Sequence, residues 1–226
     1  IDFGDGTVML VPSGMINYKY SVPGTFDYTI TASAIGTGGV TSVISKKVKV
    51  YVAFEIPADI VARLTGGASK VWVTDKEAIG HVGVSVDPAL FYSKDYSATA
   101  NSRSPELYDD EITFTADANN NISMTVDNKG ATSMTAASTA FYGFSGPDGA
   151  YPLDPGGTKK LIFSNANSGS TADVSTQIQF HVPGNGIVNF GTGGTTYEIL
   201  SISDTQLTLR NIGADGLAWF QKLKVK

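Results

Sequence analysis

The chain has 226 residues, no cysteine and a formal net charge of -5 at neutral pH, from 16 basic and 21 acidic residues. The absence of cysteine excludes disulfide bonds, thiol catalysis and cysteine-ligated zinc. The negative charge argues against nucleic acid as a partner, because polyanions are bound through clustered Lys and Arg side chains. No stretch approaches 18 consecutive apolar residues, so the sequence predicts no transmembrane helix.

The first quarter of the chain alternates apolar and polar residues, a pattern typical of half-buried β-strands. The stretch GTFDYTITASA places Phe26, Tyr28, Ile30 and Ala32 on one face, and VISKKVKVYV repeats the pattern. Further short strands are predicted at Glu111–Ala116, Ile122–Val126, Lys160–Phe163, Gln177–Val182, Thr196–Ile202, Gln206–Arg210 and Leu217–Val225. Many short strands separated by Gly, Asn, Asp and Ser predict an all-β fold of the sandwich or barrel class.

One segment, EIPADIVARLTGG, departs from the alternating pattern. Pro57 stands where a helix can begin and Gly66 where it can end, and the apolar residues between them recur at helical spacing. This predicts a single short helix, Ala58–Leu64, at a domain junction. The predicted organisation is a first domain of residues 1–54, a linker of residues 55–66 that contains the helix, and a second domain of residues 67–226.

The first of these domains carries a recognisable set of motifs. They are the turn Phe3-Gly4-Asp5-Gly6-Thr7, then Tyr20, the stretch Pro23-Gly24-Thr25-Phe26, and the alternating strand that follows. The glycines allow backbone angles that a side chain would forbid, and Asp5 can accept hydrogen bonds from the amides of its own turn. Together these pieces resemble the polycystic kidney disease (PKD) domain, an immunoglobulin-like β-sandwich. In that family the first strands precede this turn, which implies a native polypeptide that extends upstream of Ile1.

The second domain contains SKVWVTDKEAIGHVGV, ELYDDEITFTAD, TTYEILSISDTQLTLR and GLAWFQKLKV in that order. These pieces resemble a β-sandwich or jelly-roll, carbohydrate-binding-like module that follows PKD domains in surface proteins of Bacteroidota. The resemblance implies an outward-facing, outer-membrane lipoprotein of a polysaccharide-utilisation system, in a SusE/SusF-like position beside an outer-membrane glycan transporter. It also implies a lipid anchor outside this sequence, with the PKD-like part as a spacer. The family often carries a Trp pair where this chain has Phe91-Tyr92.

The chemistry of sugar binding selects candidate residues. Sugar rings stack their C–H faces on exposed aromatic side chains, and their hydroxyls need polar neighbours, usually on loops. The candidate glycan-binding residues are Phe91, Tyr92, Tyr96, Tyr142, Asp148 and Tyr151. The alternative for each aromatic residue is a place in the core, which is favoured for Phe91 and stays open for the tyrosines. Trp72 and Trp219 lie in alternating strands, and the core is favoured for both.

Catalytic and metal-binding motifs are weak in this sequence. The two histidines, His81 and His181, are far apart and have no nucleophile motif beside them, so structural hydrogen bonding is favoured. The acidic stretch ELYDDEITF matches no glycosidase motif, although Asp109 and Asp110 offer the hard oxygen ligands that Ca²⁺ prefers. We therefore predict no required cofactor. A structural calcium ion at Asp109 and Asp110 is a secondary hypothesis, and solvated or turn-capping acids are its alternative.

Taken together, the sequence predicts a protein that is not an enzyme. Its expected function is the binding of a polysaccharide or oligosaccharide at the bacterial cell surface, by aromatic stacking and hydrogen bonds, in support of glycan capture for uptake. Two alternatives stay open. One is a polysaccharide-degrading enzyme of a β-sandwich class, and the other is a structural or adhesive surface protein.

Overall fold

The computed structural model describes residues 1–226, with 39% of the residues in strands and 8% in helices, which confirms the all-β fold class. Residue contacts divide the chain into two compact units, Ile1–Glu55 and Ile56–Lys226. No helix in the structure has the length and apolar character needed to span a membrane.

The first unit is built on one long β-hairpin. Strands β1 (Gly24–Ile35) and β2 (Thr41–Val52) confirm the two strands that the alternating sequences predict, and the two strands pair antiparallel over twelve residue pairs. On the other edge of β1, Asp2 exchanges two backbone hydrogen bonds of 2.8 Å with Thr31. The buried apolar side chains of this unit are Phe3 and Tyr28, so its core is small.

The FGDG turn of the first unit forms as its residues predict. Gly4 has a φ of 78°, and a Cβ placed there would lie 2.7 Å from the backbone oxygen of Thr29. The Asp5 carboxylate accepts a hydrogen bond from the backbone N–H of Thr7 (3.0 Å) and another from the hydroxyl of Tyr18 (2.7 Å). A glycine is therefore required where this turn crosses the hairpin, and the aspartate fixes the turn.

The second unit contains two α-helices, one 3-10 helix and thirteen strands. In chain order they are α1 (Ala58–Thr65), β3 (Ser69–Thr74), β4 (Val82–Ser85), β5 (Tyr96–Ser97), α2 (Pro105–Tyr108), β6 (Glu111–Ala116), β7 (Ile122–Asp127), β8 (Thr132–Met134), the 3-10 helix (Ala136–Tyr142), β9 (Gly149–Tyr151), β10 (Lys159–Lys160), β11 (Ile162–Asn165), β12 (Ile178–His181), β13 (Thr196–Ile202), β14 (Gln206–Ile212) and β15 (Ala218–Val225).

Eleven of these strands form one antiparallel sheet. The order of its main path is β10-β7-β6-β3-β15-β14-β13-β12-β11, and β4 and β5 branch from β15. Phe114 on β6 packs edge-to-face on Phe180 of β12, with ring centroids 6.1 Å apart, although four strands separate β6 from β12 in the sheet. The two halves of the sheet therefore face each other across a shared core, which gives the unit its sandwich character.

The predicted single strand Lys160–Phe163 is wrong, and the reason explains how the sandwich closes. Lys159 and Lys160 pair with β7, whereas Ile162 begins a strand that pairs with β12. The intervening Leu161 is buried. The chain passes here from one end of the sheet order to the other, so the two ends lie next to each other, as in a nearly closed barrel.

The short helix α1 confirms the helix predicted over Ala58–Leu64. It ends at Gly66, whose left-handed φ of 63° suits a glycine. Its apolar face is buried, and the indole N–H of Trp72 donates a hydrogen bond of 2.9 Å to the backbone oxygen of Leu64. The helix therefore packs into the second unit, and Trp72 is a fully buried core residue, as predicted.

Candidate functional site

A pocket of about 280 Å³ opens beside β15 in the second unit, and we call it the aromatic pocket. Its apolar lining consists of Val82, Leu107, Met134, Phe190 and Trp219. Its polar lining consists of Ser102, Arg103, Ser104, Ser133, Thr135 and Asp148. The pocket therefore combines an apolar wall that carries an indole ring with hydroxyl and charged groups from three segments, which are the loop before α2, the end of β8 and the loop before β9.

Trp219 is half-buried: it packs against the buried apolar cluster that contains Val82 and Phe190, as a core position predicts, and another part of its side chain lines the pocket. Its indole N–H points at the carboxylate of Asp215, with nitrogen–oxygen distances of 3.2 and 3.1 Å. Its ring meets Phe190 edge-to-face at a centroid distance of 5.7 Å. These two contacts fix the orientation of the indole, so one part of the ring system lines the pocket in a defined position.

The loop that carries Arg103 is held by a chain of hydrogen bonds that runs into the core. The backbone N–H of Arg103 donates to the hydroxyl of Tyr108 (2.8 Å), which lies 3.0 Å from Nε2 of His81. Nδ1 of His81 lies 2.9 Å from the backbone oxygen of Ala78. Because a carbonyl oxygen can only accept, Nδ1 carries the proton, and Nε2 accepts from the Tyr108 hydroxyl. His81 is fully buried, so this bonding confirms the structural role predicted for it.

The chain of hydrogen bonds depends on a neutral imidazole. Burial lowers the pKa of His81, and the nearby positive charges of Arg103 and Lys222 lower it further, against opposing contributions from the Ala78 carbonyl and Asp75. The Arg103 side chain itself is exposed and forms no ion pair. Its guanidinium is therefore available to donate hydrogen bonds to a ligand in the pocket.

Asp148 lies on another loop at the rim of the aromatic pocket and is exposed. Its Oδ1 atom accepts a hydrogen bond of 2.7 Å from the backbone N–H of Ala136, which orients the carboxylate. Asp148 thus belongs to a pocket, as a glycan-binding role for this residue requires. It is also the one acidic residue in the lining.

Tyr96 lies on the same sheet face as the pocket. It is the direct cross-strand partner of Val84, which in turn lies opposite Trp219. Directly opposed residues project to the same side of a sheet, and neighbouring strands are about 4.8 Å apart. The Tyr96 side chain, which is 42% exposed, therefore lies about 10 Å from Trp219 on one face.

Phe91 and Tyr92 do not line this pocket. Phe91 is half-buried, and the guanidinium of Arg210 sits over its ring at 4.8 Å from the centroid. Arg210 is adjacent in sequence to Asn211, the cross-strand partner of Trp219, so Arg210 projects to the opposite face of the sheet. Tyr92 is 60% exposed, and a role in sugar binding for it stays a prediction.

Tyr142 and Tyr151 have their hydroxyl groups engaged by the protein. The hydroxyl of Tyr142 accepts a hydrogen bond of 3.1 Å from the backbone N–H of Gly193, and burial raises the pKa of Tyr142 to about 12. Tyr151 packs on Phe144 at a centroid distance of 5.3 Å and donates a hydrogen bond of 2.7 Å to the backbone oxygen of Pro147. Both rings are half-buried, and the contacts indicate that they stabilise loops around the aromatic pocket.

The calcium hypothesis gains no support from the arrangement of acidic residues. No group of three or more His, Asp or Glu side chains is placed to hold a metal ion. Asp110 is fully buried, neither of its carboxylate oxygens has a hydrogen-bond partner, and burial raises its pKa to about 8. A carboxyl group that keeps its proton near neutral pH is a poor ligand for Ca²⁺.

Several residues of the aromatic pocket were not among the predicted site residues. Arg103 and Ser104 lie in the loop before α2 and Phe190 lies in the loop between β12 and β13, and no local motif marks them. The sequence alone predicts a core position for Trp219 because the residue lies in an alternating strand. The one local feature that could have indicated a pocket role for Trp219 is Asp215, an acidic residue four positions earlier, on the turn that leads into β15. Only the pairing of β15 with β4 brings these pieces together.

No protein-family model matches the chain, and no curated protein matches it.

Proposed function

We propose that this protein binds a polysaccharide or oligosaccharide without cleaving it, and that the aromatic pocket holds one sugar ring of the ligand. The observation that carries this proposal is the presence of an oriented indole, Trp219, beside two charged rim residues with free hydrogen-bonding capacity, Arg103 and Asp148. An indole provides a flat apolar surface for the C–H face of a sugar. The rim groups supply the donors and acceptors that sugar hydroxyls need.

The row Trp219–Val84–Tyr96 supports a ligand longer than one sugar. The two aromatic side chains share a sheet face at a separation of about 10 Å, so a glycan chain lying across the strands can contact both. Tyr96 then acts as a second stacking platform outside the aromatic pocket. This arrangement suits an extended polysaccharide better than a free monosaccharide.

The acidic groups of the aromatic pocket favour a binding role over hydrolysis. Most glycoside hydrolases need two carboxyl groups on either side of the scissile bond. Asp148 is the one acidic residue that lines the pocket. In this proposal the protein acts at the cell surface as part of a lipoprotein and passes glycan to an outer-membrane transporter, with its first unit serving as a PKD-like spacer.

The experiment that tests the proposal is affinity electrophoresis against a panel of soluble polysaccharides, combined with intrinsic fluorescence. The chain has two tryptophans, of which Trp72 is fully buried and Trp219 lines the aromatic pocket. We expect at least one polysaccharide to retard the protein and to change the fluorescence. In Trp219→Phe, which keeps Trp72, the fluorescence change should disappear.

Variants at the pocket rim separate a binding role from a folding role. Arg103→Ala keeps the backbone N–H that bonds to Tyr108, and Asp148→Asn keeps a side-chain oxygen that can accept from the backbone N–H of Ala136, so both variants should fold. In each variant the affinity for the retarding polysaccharide is expected to fall by about tenfold, which is the effect of losing one charged hydrogen bond. Tyr51→Ala, at an aromatic residue that is 73% exposed in the first unit, is the matched control and should bind normally. Absence of retardation by every glycan, with folded protein, contradicts the proposal.

A further inference from the structure

One lysine of the second unit projects toward the core. Lys159 on β10 is directly opposite Met124 on β7, and Met124 is only 1% exposed. Directly opposed residues of an antiparallel pair project to the same side of the sheet. The side chain of Lys159 therefore leaves β10 on the core side, whereas its exposed neighbour Lys160 leaves on the other side. Lysine is seldom placed in this way, because its ammonium group is costly to bury.

The partner of this lysine is an amide rather than a carboxylate. Nζ of Lys159 donates a hydrogen bond to Oδ1 of Asn185, in the loop between β12 and β13. Lys159 forms no ion pair. A nitrogen in hydrogen-bond contact with Oδ1 lies within about 4 Å of Cγ, because the C=O bond is only about 1.2 Å long. The amine nitrogen and the amide carbon are therefore neighbours.

The side-chain amide of Asn185 is held in position by the surrounding backbone. Its Nδ2 donates a hydrogen bond of 3.0 Å to the backbone oxygen of Asp154, and its Oδ1 accepts one of 3.4 Å from the backbone N–H of Ile187. The backbone oxygen of the next residue, Gly186, accepts a hydrogen bond of 2.7 Å from the hydroxyl of the fully buried Tyr197. The Ile187 N–H is thus directed at the oxygen on which negative charge develops when a nucleophile attacks Cγ.

The surroundings of Lys159 favour the uncharged form of its amine, which is the nucleophilic form. Burial lowers the pKa of Lys159, and the negative charge of Asp154 opposes part of that effect. The Asp154 carboxylate accepts a hydrogen bond of 2.8 Å from the backbone N–H of Gly156, which fixes its orientation. A carboxylate whose charge acts on Lys159, and whose backbone oxygen binds Nδ2 of Asn185, is placed to transfer protons between the two side chains.

We propose that Lys159 and Asn185 become joined by an intramolecular isopeptide bond. Nζ attacks Cγ, the Nζ–Cγ bond forms, and the Cγ–Nδ2 bond breaks. The lysine ammonium gives up two protons, which the Asp154 carboxylate transfers to Nδ2, and the nitrogen leaves as an ammonium ion. Atoms and charge balance, because an ammonium group and a primary amide give a secondary amide and an ammonium ion. No group is oxidised or reduced, and no other reactant is needed.

The bond locks the closure of the sandwich. Strand β10 lies at one end of the sheet order, and β11 and β12 lie at the other end. The bond joins β10 to the loop that follows β12, between two residues that are 26 positions apart in sequence. The segment that passes from one end of the sheet to the other is thereby enclosed in a covalent loop. A cross-link of this kind restricts the unfolded chain and so favours the folded state.

Intact-mass spectrometry of the purified full chain tests the proposal. The cross-linked protein is lighter than its sequence by about 17 Da, the mass of one ammonia. Trypsin cuts after Lys129, Lys160 and Arg210, and Lys159 is the one further trypsin site between them. In the cross-linked chain the digest yields peptide 130–160 joined to peptide 161–210, and fragment spectra place the bond at Lys159 and Asn185. An unchanged mass with separate peptides refutes the proposal.

Four variants assign the chemistry to these side chains. Lys159→Arg keeps the positive charge but cannot form this amide, and Asn185→Ala has no amide to attack, so both should have the full mass of their sequences. Lys160→Arg, at the exposed neighbour, is the matched control and should keep the loss of about 17 Da. Asp154→Asn retains an oxygen acceptor for the Gly156 N–H but no carboxylate, so part of the chain should stay unreacted.

Other mass changes identify other reactions of Asn185. A loss of about 17 Da that persists in Lys159→Arg belongs to a cyclic imide, formed when the backbone nitrogen of Gly186 attacks the Asn185 side chain, and it overturns the proposal. A gain of about 1 Da without joined peptides marks hydrolysis of the amide and overturns it as well. Complete reaction in Asp154→Asn would overturn the proton transfer assigned to Asp154 while the joined peptides still support the bond. Glycan binding is measured separately by retardation, so the two proposals stand or fall independently.

Discussion

The hydroxyl of Tyr108 donates a hydrogen bond of 3.0 Å to Nε2 of His81, and the same hydroxyl accepts from the backbone N–H of Arg103. A fully buried histidine therefore sets the position of a loop at the rim of the aromatic pocket. The protonation state of His81 is therefore connected to the geometry of the proposed binding site. For this reason we expect the stability of the second unit to depend on pH.

Acidification should destabilise the second unit through His81. Its pKa is lowered in the fold, mainly by burial, so the unfolded chain binds the proton more readily. The stabilisation by neutral His81 is complete above the unfolded pKa of 6.5 and is lost as the pH falls below that value. Urea unfolding followed by tryptophan fluorescence at pH 5 to 8 measures this change. His181→Gln, which leaves the bond to Tyr108 intact, should keep the dependence, and a flat profile in the unmodified chain contradicts the prediction.

Removal of the Tyr108 hydroxyl should cost both stability and binding. In Tyr108→Phe, the Arg103 N–H and the Nε2 atom of His81 both lose their partner, which is expected to cost about 1–3 kcal/mol of the free energy of unfolding. The loop with Arg103 should then be less ordered, and polysaccharide retardation should weaken. Tyr92→Phe, at an exposed tyrosine, is the control and should change the free energy of unfolding by less than about 0.5 kcal/mol.

Asp110 should produce a pH dependence of the opposite sign. Burial raises its pKa to about 8 from the ordinary value of 3.8, so the folded state holds a proton that the unfolded chain releases. The free energy of unfolding should therefore fall as the pH rises between these values, by up to about 1.4 kcal/mol per pH unit. In Asp110→Asn this decline should disappear. Repeating the measurement with calcium chloride tests the calcium hypothesis, since an ion bound at Asp109 and Asp110 would abolish the decline.

The hydrogen bond between Trp72 and Leu64 should make a large contribution to stability. Trp72→Phe leaves the backbone oxygen of Leu64 without its donor and opens a small cavity, so we expect a loss of about 2–4 kcal/mol in the free energy of unfolding. Trp219 remains as the fluorescent probe for urea unfolding. A loss below about 1 kcal/mol would mean that α1 contributes little to the second unit.

Ligand length should distinguish Tyr96 from the aromatic pocket. Because Tyr96 lies about 10 Å from Trp219 on the same face, Tyr96→Ala should weaken binding of a retarding polysaccharide but not of its disaccharide unit. Retardation measures the affinity for the polysaccharide, and competition by the disaccharide measures the affinity for the short ligand. Tyr142→Phe removes a hydroxyl that bonds to Gly193 and should reduce stability by about 1 kcal/mol without changing retardation. Equal loss for both ligand lengths in Tyr96→Ala would rule out an extended site.

The sequence by itself determined the local structure. The strands β1 and β2, the strands β6 and β7, and the helix between Pro57 and Gly66 follow from short-range patterns that act within a few residues. The fold class follows from the number of such strands. Tertiary structure decided which strands meet. The pairing of β15 with β4 leaves one part of Trp219, a residue expected in the core, in the wall of the pocket that Arg103 and Asp148 also line.

The same distinction applies to the buried ion pair of Glu198 and Arg210. Glu198 and Arg210 are separated in sequence and read as ordinary charged residues of two strands. Only the register of β13 against β14 places them opposite each other, and only the loops that contain Ser175 and Leu90 bury them. Strand register and loop packing depend on contacts distant in sequence, so the composition of a single strand does not specify them. The sequence thus determined the secondary-structure elements and the types of side chain available, and the tertiary structure decided which of those side chains lie together.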